Sequence, residues 1–257
     1  AMKNIRYLIV CLTMMSLVAE VQAQNVQQAM RAIYIQDYDA ATEIIQSGID
    51  VNQKTRGSYL LHAACLRGNP NLVTLLLKQG ANVNAIADDG TSALFWAARS
   101  DDNGEIVTML LEKGARVNVK NVHGRTPFDQ AVYRSIQDNG NHAVMRILLN
   151  YGANIDNTRE KGPTSGYTPL MTATRNNQIK LVRFLLDHGA NINHIAEDGN
   201  TPLMIAADEG NLKMVELFIE HGAKTEFSNN DGKTALDIAK AKSYSQLVSF
   251  LKNSKLP

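Results

Sequence analysis

The chain has 257 residues, 44% of them hydrophobic, and its 26 basic and 25 acidic side chains leave a formal net charge of +1. This balance excludes the general electrostatic attraction that a strongly basic protein has for nucleic acid or for an anionic membrane. No low-complexity segment interrupts the chain, and its length suits one or two domains.

The first 23 residues have the layout of a secretory signal peptide. Lys3 and Arg6 precede an apolar run at 7–19, and Ala23 offers a small residue for cleavage. A membrane-spanning helix needs about 20 apolar residues, which is more than this run provides. We therefore predict cleavage after Ala23, with an uncleaved membrane anchor as the alternative.

The predicted mature chain, residues 24–257, is electrically neutral. Cleavage removes Lys3, Arg6 and Glu20 and leaves 24 positive and 24 negative side chains. Cys65 is then the single cysteine, so no disulfide can form within the chain. We expect Cys65 to be a small buried residue. These features favour the bacterial periplasm as the location.

From residue 25 onward one pattern recurs with a period of about 33 residues. Each copy combines an apolar anchor, a short alanine-rich first helix, an apolar second helix and a closing glycine. The anchors are Leu61, Leu94, Phe128, Leu170, Leu203 and Leu236, and the glycines are Gly48, Gly80, Gly114, Gly152, Gly189 and Gly222. A repeat of this length predicts stacked helix pairs instead of one central core.

This pattern resembles the ankyrin repeat family, whose unit is a β-turn followed by two antiparallel helices. Thr201-Pro202-Leu203 with His221-Gly222-Ala223, and Thr168-Pro169-Leu170 with His188-Gly189-Ala190, carry the resemblance. It implies an all-α solenoid of about seven helix-turn-helix units, with turns as protruding fingers and first helices on a concave face. The units are approximately 25–53, 54–86, 87–120, 121–157, 163–195, 196–228 and 229–253. The first and last are expected to act as caps with a polar outer surface.

Two insertions depart from the regular spacing. Residues 133–142 are predicted to lengthen the loop between the helices of the fourth unit, and residues 157–166 to lengthen the next finger. Loop insertions cost a solenoid little stability and often carry recognition, so both a binding role and neutral drift stay open.

No residue pattern indicates catalysis. The chain has no phosphate-binding glycine loop, no nucleophile elbow and no His-Glu-x-x-His. The resemblance implies that His62 holds its turn by hydrogen bonds. His188 and His221 recur at predicted helix ends, where an imidazole is in contact with solvent and its partial positive charge is favoured by the helix dipole. The acidic pairs fall in predicted turns or at helix ends, and no three or four zinc ligands converge. We predict a chain that is not an enzyme and holds neither a cofactor nor a metal.

Ankyrin proteins usually bind other proteins through their finger tips and the exposed ends of their first helices. In four successive repeats an arginine follows the small residues of the first helix: Arg67, Arg99, Arg134 and Arg175. Stacking would align them in a column suited to bidentate bonds with carboxylates. The alternative is that a helix C-terminus favours a cation by ~0.3–1 kcal/mol without any partner. The fifth repeat has Asp208 and Glu209 at this position.

Further candidates accompany the arginine column. They are Tyr133 beside Arg134 and the finger residues Arg56, Asp88, Asp89, His123, Arg125, Tyr167 and Asn200. Asp88 and Asp89 equally suit ordinary turns. Trp96 is predicted to lie in the core, with an exposed hot spot as the alternative.

These residues predict a monomeric, exported binding module whose partner is a protein with an acidic, partly apolar patch. Support of another envelope protein, with oxidant defence as a setting, is the leading hypothesis. An immunity protein that masks a periplasmic toxin and a secreted effector that acts on a host protein are the alternatives.

Overall fold

A computed structural model describes residues 2–100, 104–137, 142–160, 162 and 164–254, with side chains from residue 13 onward. Within this part of the chain the regular structure is helical, and extended pairing is limited to the isolated bridges Thr55–Ser58 and Ile86–Ser92. The all-α prediction is confirmed. The chain divides into two compact units, Ala1–Arg116 (unit 1) and Val117–Pro257 (unit 2).

Unit 1 contains three helix pairs. They are α1 (Met2–Tyr34) with α2 (Tyr38–Gln46), α3 (Leu60–Leu66) with α4 (Pro70–Lys78), and α5 (Ala93–Ser100) with α6 (Glu105–Glu112). The first helices α1, α3 and α5 pack in that order, and so do α2, α4 and α6. Buried alanines at 63–64 and 97–98 leave room for the close approach of α3 and α5.

Unit 2 contains four helix pairs in its described residues. They are α7 (Pro127–Gln137) with α8 (Ala143–Asn150), α9 (Pro169–Arg175) with α10 (Ile179–Asp187), α11 (Pro202–Asp208) with α12 (Leu212–Glu220), and α13 (Ala235–Ala241) with α14 (Ser245–Asn253). The first helices α7, α9, α11 and α13 pack in sequence. Their buried anchors include Phe128, Leu170 and Leu203, as the repeat pattern predicts.

Local signals in the sequence set the helix boundaries. The side chain of Thr201 accepts a hydrogen bond from the backbone N–H of Met204, and Pro202 takes the first helical position of α11. The second helix of the same repeat, α12, is capped in the same way by Asn211. It ends two residues before Gly222, whose φ of 83° lies in the left-handed region that glycine adopts without strain.

A ladder of asparagines joins consecutive repeats. In unit 1, Asn84 Nδ2 donates to the Gly114 carbonyl at 3.0 Å, and its Oδ1 accepts from the Arg116 N–H at 2.9 Å. The same two bonds recur at Asn52 in unit 1 and at Asn118 and Asn193 in unit 2. In the repeat between those of Asn118 and Asn193, Asp156 takes the position of the asparagine. Its carboxylate accepts a hydrogen bond from the Asn191 N–H but has no amide group that could donate one. In each of these repeats, one side chain thus binds the turn that ends the second helix of the following repeat.

The insertion at 133–142 was predicted to be a loop, and for its first part this is wrong. Helix α7 continues to Gln137, so the insertion adds about one helical turn before residues 138–141, which lie outside the described part. The extended helix remains amphipathic, with Val132 and Ser135 buried and Tyr133 exposed. The apolar face therefore continues through the inserted turn, which favours helix over loop.

The longer finger at 157–166 is held by hydrogen bonds. Asn157 is buried and its Nδ2 donates to the Gly124 carbonyl at 3.0 Å and to Asp129 Oδ2 at 2.6 Å. Arg159 donates to Thr164 Oγ1 at 3.0 Å and closes the turn. Residues 161 and 163 lie outside the described part. Within its described residues, then, the finger is anchored to the preceding repeat.

The N-terminal helix changes character along its length. Side chains at 14, 15, 17, 18 and 21 are large, apolar and 50–70% exposed, whereas Val26, Ala29 and Ile33 are fully buried. Cleavage after Ala23 stays a prediction, because α1 runs through this position without a break.

In the described residues, each helix falls short of the combined length and hydropathy that spanning a bilayer requires.

Candidate protein-binding surface

Unit 1 has a cleft between its fingers and its first helices, which we call the unit-1 cleft. Its volume is about 380 Å³, and its walls are the finger at 56–58, the finger at 87–91, Tyr34, His62, Leu66 and Trp96. The cleft exists because short first helices lie side by side while the connecting turns project beyond them. It combines two aromatic side chains with charged finger residues of both signs.

Arginines stack on both aromatic side chains of this cleft. The Arg67 guanidinium lies 5.3 Å from the centre of the Tyr34 ring and donates to the Tyr34 carbonyl at 2.8 Å. Arg99 lies 5.9 Å from the centre of the Trp96 ring. A guanidinium placed over a ring is held in one position, and its planar fork suits recognition of a carboxylate. Both side chains are exposed.

Trp96 was predicted to lie in the core, and this is wrong. Its ring is half-buried against Phe95 in an edge-to-face contact, and its indole N–H donates to Thr91 Oγ1 at 3.0 Å. The equivalent residues in other repeats are aliphatic or small, and the larger indole reaches past the core to the finger. An aromatic ring held by its polar end suits a binding surface.

The finger residues of unit 1 have structural partners as well. Asp88 pairs with Lys54 at 2.6 Å, and Asp89 accepts from the N–H and hydroxyl of Thr91. Arg56 is exposed with a φ of 49°, a left-handed backbone conformation that is strained for a side chain with a Cβ. The Asp89 carboxylate thus holds its own turn and the Asp88 carboxylate joins two fingers, while both residues line the cleft, so the two interpretations of Asp88 and Asp89 are compatible.

His62 supports the cleft from beneath, as its predicted structural role requires. Its Nε2 lies 3.2 Å from the Thr91 carbonyl and links one first helix to the following finger. Burial lowers the pKa of His62 from its ordinary 6.5 to about 4. The imidazole is therefore neutral near pH 7, with Nε2–H as the donor.

Unit 2 has its own cleft, the unit-2 cleft, with a volume of about 430 Å³. Arg175, the last residue of α9, stands at its wall together with Asp208 and Glu209 from the end of α11. Lys242 pairs with Asp208 at 2.9 Å, and both are about half exposed. The unit-2 cleft therefore has charged side chains of both signs. Its arginine lies beside carboxylates, whereas the arginines of unit 1 lie over aromatic rings.

Tyr167 and Asn200 reach this cleft but are held inside the finger network. Tyr167 is 6% exposed, and its hydroxyl donates to Asp198 Oδ2 at 3.1 Å. Burial, reinforced by the Asp198 charge, raises the pKa of the Tyr167 phenol. The amide of Asn200 donates to the same Asp198 and accepts from Asn229. Both shape the cleft wall, and Tyr167 is less accessible than a finger tip was expected to be.

The remaining candidates lie elsewhere in unit 2. Tyr133 is 45% exposed on α7, and Arg134 beside it falls in the last turn of that helix. His123 is an exposed finger residue, and Arg125 beside it is half-buried. Arg134 therefore keeps a helix-terminal position that favours a cation without a partner, so both interpretations stay open for this member of the column.

Tyr34 is a candidate for the binding surface that the repeat pattern missed. It ends α1, is 41% exposed and forms the stack with Arg67. The first unit lacks the Thr-Pro-Leu motif, so the sequence alone could not align Tyr34 with the helix ends of the other repeats. The available signal was an aromatic residue three positions after Arg31 at a helix end. Among the described residues, no three His, Cys, Asp or Glu side chains are placed to share a metal ion.

Comparison with known proteins agrees with this architecture. Family models described as ankyrin repeats match residues 29–121, 121–196 and 185–239. The chain is 33% identical over 148 residues to the B-cell lymphoma 3 protein homolog of Mus musculus, a match that covers 56% of this chain. It is 29% identical over 184 residues to human Rabankyrin-5, covering 66% of this chain. These matches span only 31% and 15% of the relatives' own lengths.

Solved structures extend the likeness over most of the chain. The ankyrin repeat domain of human ASB11 superposes with a TM-score of 0.72 at 32% identity, covering 89% of this chain and 98% of that one. The ankyrin repeat domain of Bcl-3 gives a TM-score of 0.72 at 26% identity, covering 86% and 97%. With family models matching more than half of its residues, the chain belongs to the ankyrin repeat family.

Proposed function

We propose that this chain is a non-enzymatic module that binds a partner protein bearing an acidic, partly apolar patch. Membership of the ankyrin family supports protein binding. The observation that carries the finer proposal is the unit-1 cleft, where Arg67 and Arg99 stack on Tyr34 and Trp96. An aromatic surface edged by guanidinium groups matches apolar side chains flanked by carboxylates.

The open shape and the charged lining of the clefts support a protein partner over a small molecule. Both are shallow, charged depressions, whereas a typical small-molecule site is a concave apolar pocket that buries most of its ligand. Each is bordered by fingers that already hydrogen-bond to one another, so a partner would meet a preformed surface. Preformed surfaces lose less conformational entropy on binding.

We further propose that the protein is exported to a bacterial periplasm and supports another envelope protein there, with oxidant defence as a setting. The basic and apolar N-terminal sequence supports export, and so does the exposure of the apolar side chains at 14–21, which the fold does not bury. We also propose that the chain is a monomer.

Affinity capture from a periplasmic extract tests the partner proposal. Arg99, Arg134 and Arg175 are all changed to Glu, and the retained proteins are identified by mass spectrometry. We expect the triple reversal to abolish capture, because each change replaces an attraction to a carboxylate with a repulsion.

A matched control reverses three exposed lysines on second helices or at their ends, Lys78, Lys113 and Lys213, and so makes the same change in net charge. We expect this control to capture the partner like the original chain. Equal capture by the arginine triple variant would refute the acidic-patch proposal. Equal loss in both variants would show that net charge, and not the arginine positions, determines binding.

A further inference from the structure

A cavity in unit 2 lies apart from both clefts, at the start of the second helix α10. We call it the α10 pocket. Its volume is about 390 Å³, and it is lined by Ser135, His142 and residues 177–181. It therefore lies between the inserted turn of α7, the beginning of α8 and the first residues of α10. The described residues that line it include no carboxylate.

Two polar side-chain atoms in this pocket have no hydrogen-bond partner. Ser135 is only 2% exposed, and its Oγ is buried without a partner. The buried Nε2 of His142 is also without one. An unsatisfied buried polar group is destabilising, so two of them in one cavity indicate a missing ligand.

The start of α10 adds open backbone donors. At the equivalent positions of α4 and α12, Asn69 and Asn211 accept hydrogen bonds from the third helical N–H. In α10 the corresponding residue is Gln178, which makes no side-chain cap. The Leu181 N–H therefore lacks the acceptor that its counterparts have. An uncapped helix N-terminus attracts an anion through these N–H groups and the helix dipole.

Basic side chains lie in and near this pocket. Lys180 lines the pocket, and Arg146 and His188 are close enough to act electrostatically on the imidazole of His142. Burial is the main cause of the lowered pKa of His142, and the electrostatic influence of Arg146 and His188 lowers it further. The hydroxyl of Ser135, Nε2–H of His142, the backbone N–H groups and the Lys180 ammonium can all donate. A bound anion would satisfy them together.

We propose that the α10 pocket binds an oxyanion, either a carboxylate or a phosphate group. Ser135 and the Leu181 N–H donate to its oxygens, His142 donates from Nε2, and Lys180 balances its charge. The site does not depend on the partner proposed for the clefts, because none of its lining residues is shared with either cleft.

Backbone amide NMR of the full chain tests this proposal by titration with sodium phosphate and, separately, sodium acetate at constant ionic strength. We expect saturable shifts at the Leu181 N–H and an upward shift in the pKa of His142, because an anion stabilises the imidazolium. A response to acetate alone identifies a carboxylate site, and a response to phosphate alone identifies a phosphate site.

Helix α14 supplies an internal control, because its N-cap Tyr244 also makes no side-chain cap but its start is not part of the pocket. We expect the Leu247 N–H, the counterpart of Leu181, to respond weakly and without saturation. Equal responses at Leu181 and Leu247, or no saturable response to either anion, would overturn the proposal.

Two variants separate ligand binding from a merely structural role. Ser135→Ala removes one donor and is expected to weaken binding about tenfold, with Ser245→Ala on α14 as the matched control. Gln178→Asp supplies the missing cap from the chain itself and is expected to prevent anion binding while α10 stays folded. Unchanged affinity in both pocket variants would contradict the assignment.

Discussion

His62 links stability to pH through a single buried side chain. Its pKa is about 4 in the folded chain and near 6.5 when unfolded, so the unfolded chain binds the proton more tightly. Above pH 6.5 the neutral, buried imidazole contributes its full stabilisation to the folded chain. This contribution is lost as the pH falls toward 4, and the total loss is about 3 kcal/mol. We expect the free energy of unfolding, measured by urea denaturation, to fall over this window.

The variant His62→Gln isolates this effect from other titrating groups. It removes the imidazole, so it should be less stable at pH 7 but should lose less stability on acidification. The difference in unfolding free energy between the two proteins should therefore narrow by up to ~3 kcal/mol between pH 7 and pH 4. A constant difference over that range would show that His62 does not titrate as the structure indicates.

Arg56 combines backbone strain with a position on the unit-1 cleft. Because left-handed backbone is costly for a side chain with a Cβ, Arg56→Gly should raise the free energy of unfolding by about 0.5–1 kcal/mol after the entropy cost of glycine. It should also reduce partner capture. Ser243→Gly, which relieves a φ of 61° outside both clefts, should stabilise without changing capture. Weakened capture in both variants would contradict a binding role for Arg56.

At the scale of helices and turns, the asparagine ladder gives each repeat a defined hold on the next. Asn84→Ala removes both bonds to the turn after α6, and we expect a loss of about 1–2 kcal/mol in unfolding free energy. Thermal and urea denaturation measure it. Asn150→Ala, at an exposed helix end, serves as the control and should change stability by less than about 0.5 kcal/mol.

Asp156→Asn adds a hydrogen bond to the ladder, whereas Asn84→Ala removes two. Asp156 is the acidic residue among the ladder positions described above. The new amide can donate to the carbonyl of Gly189, as Asn193 does to Gly222. We expect a gain of about 0.5–1 kcal/mol in unfolding free energy, since the N–H bond to position 191 is kept. A loss of stability would mean that the negative charge of Asp156, not its shape, is what this turn requires.

The repeat pattern predicted the helix pairs well because each pair is specified locally. Thr201, Pro202 and Gly222 mark helix boundaries by backbone chemistry that needs no knowledge of distant contacts. The prediction failed where neighbours decide the outcome. Helix α7 continues beyond Tyr133 because its apolar face persists, and the indole of Trp96 reaches the finger because of its size.

At the scale of the molecule, the candidate surface was partly predictable. Arg67 and Arg99 were identified from their repeat register, but stacking on aromatic rings depends on which side chains adjacent repeats bring together. The alignment of the arginines across units 1 and 2 stays a prediction. Unit 1 presents arginines with aromatic rings, and unit 2 presents Arg175 among carboxylates, so the two clefts differ in the chemistry they offer.

The N-terminal segment allows a test of export that is independent of any partner. Its apolar side chains at 14–21 are exposed and contribute little to folding, whereas burial begins at Val26. Deletion of residues 1–23 should therefore change the free energy of unfolding by less than about 1 kcal/mol, while Ile33→Ala should cost about 2–5 kcal/mol. Urea denaturation compares the two.

Mass spectrometry of the protein recovered from the periplasm of a Gram-negative host completes this test. We expect a chain that begins at Gln24, because Ala23 is the small residue that precedes the predicted cut. Lys3 and Arg6 changed together to Glu should leave the chain uncleaved in the cytoplasm, since the positive charge orients the signal for export. Retention of residues 1–23 on protein that reaches the periplasm would instead favour the uncleaved anchor, and the exposed apolar side chains would then face lipid.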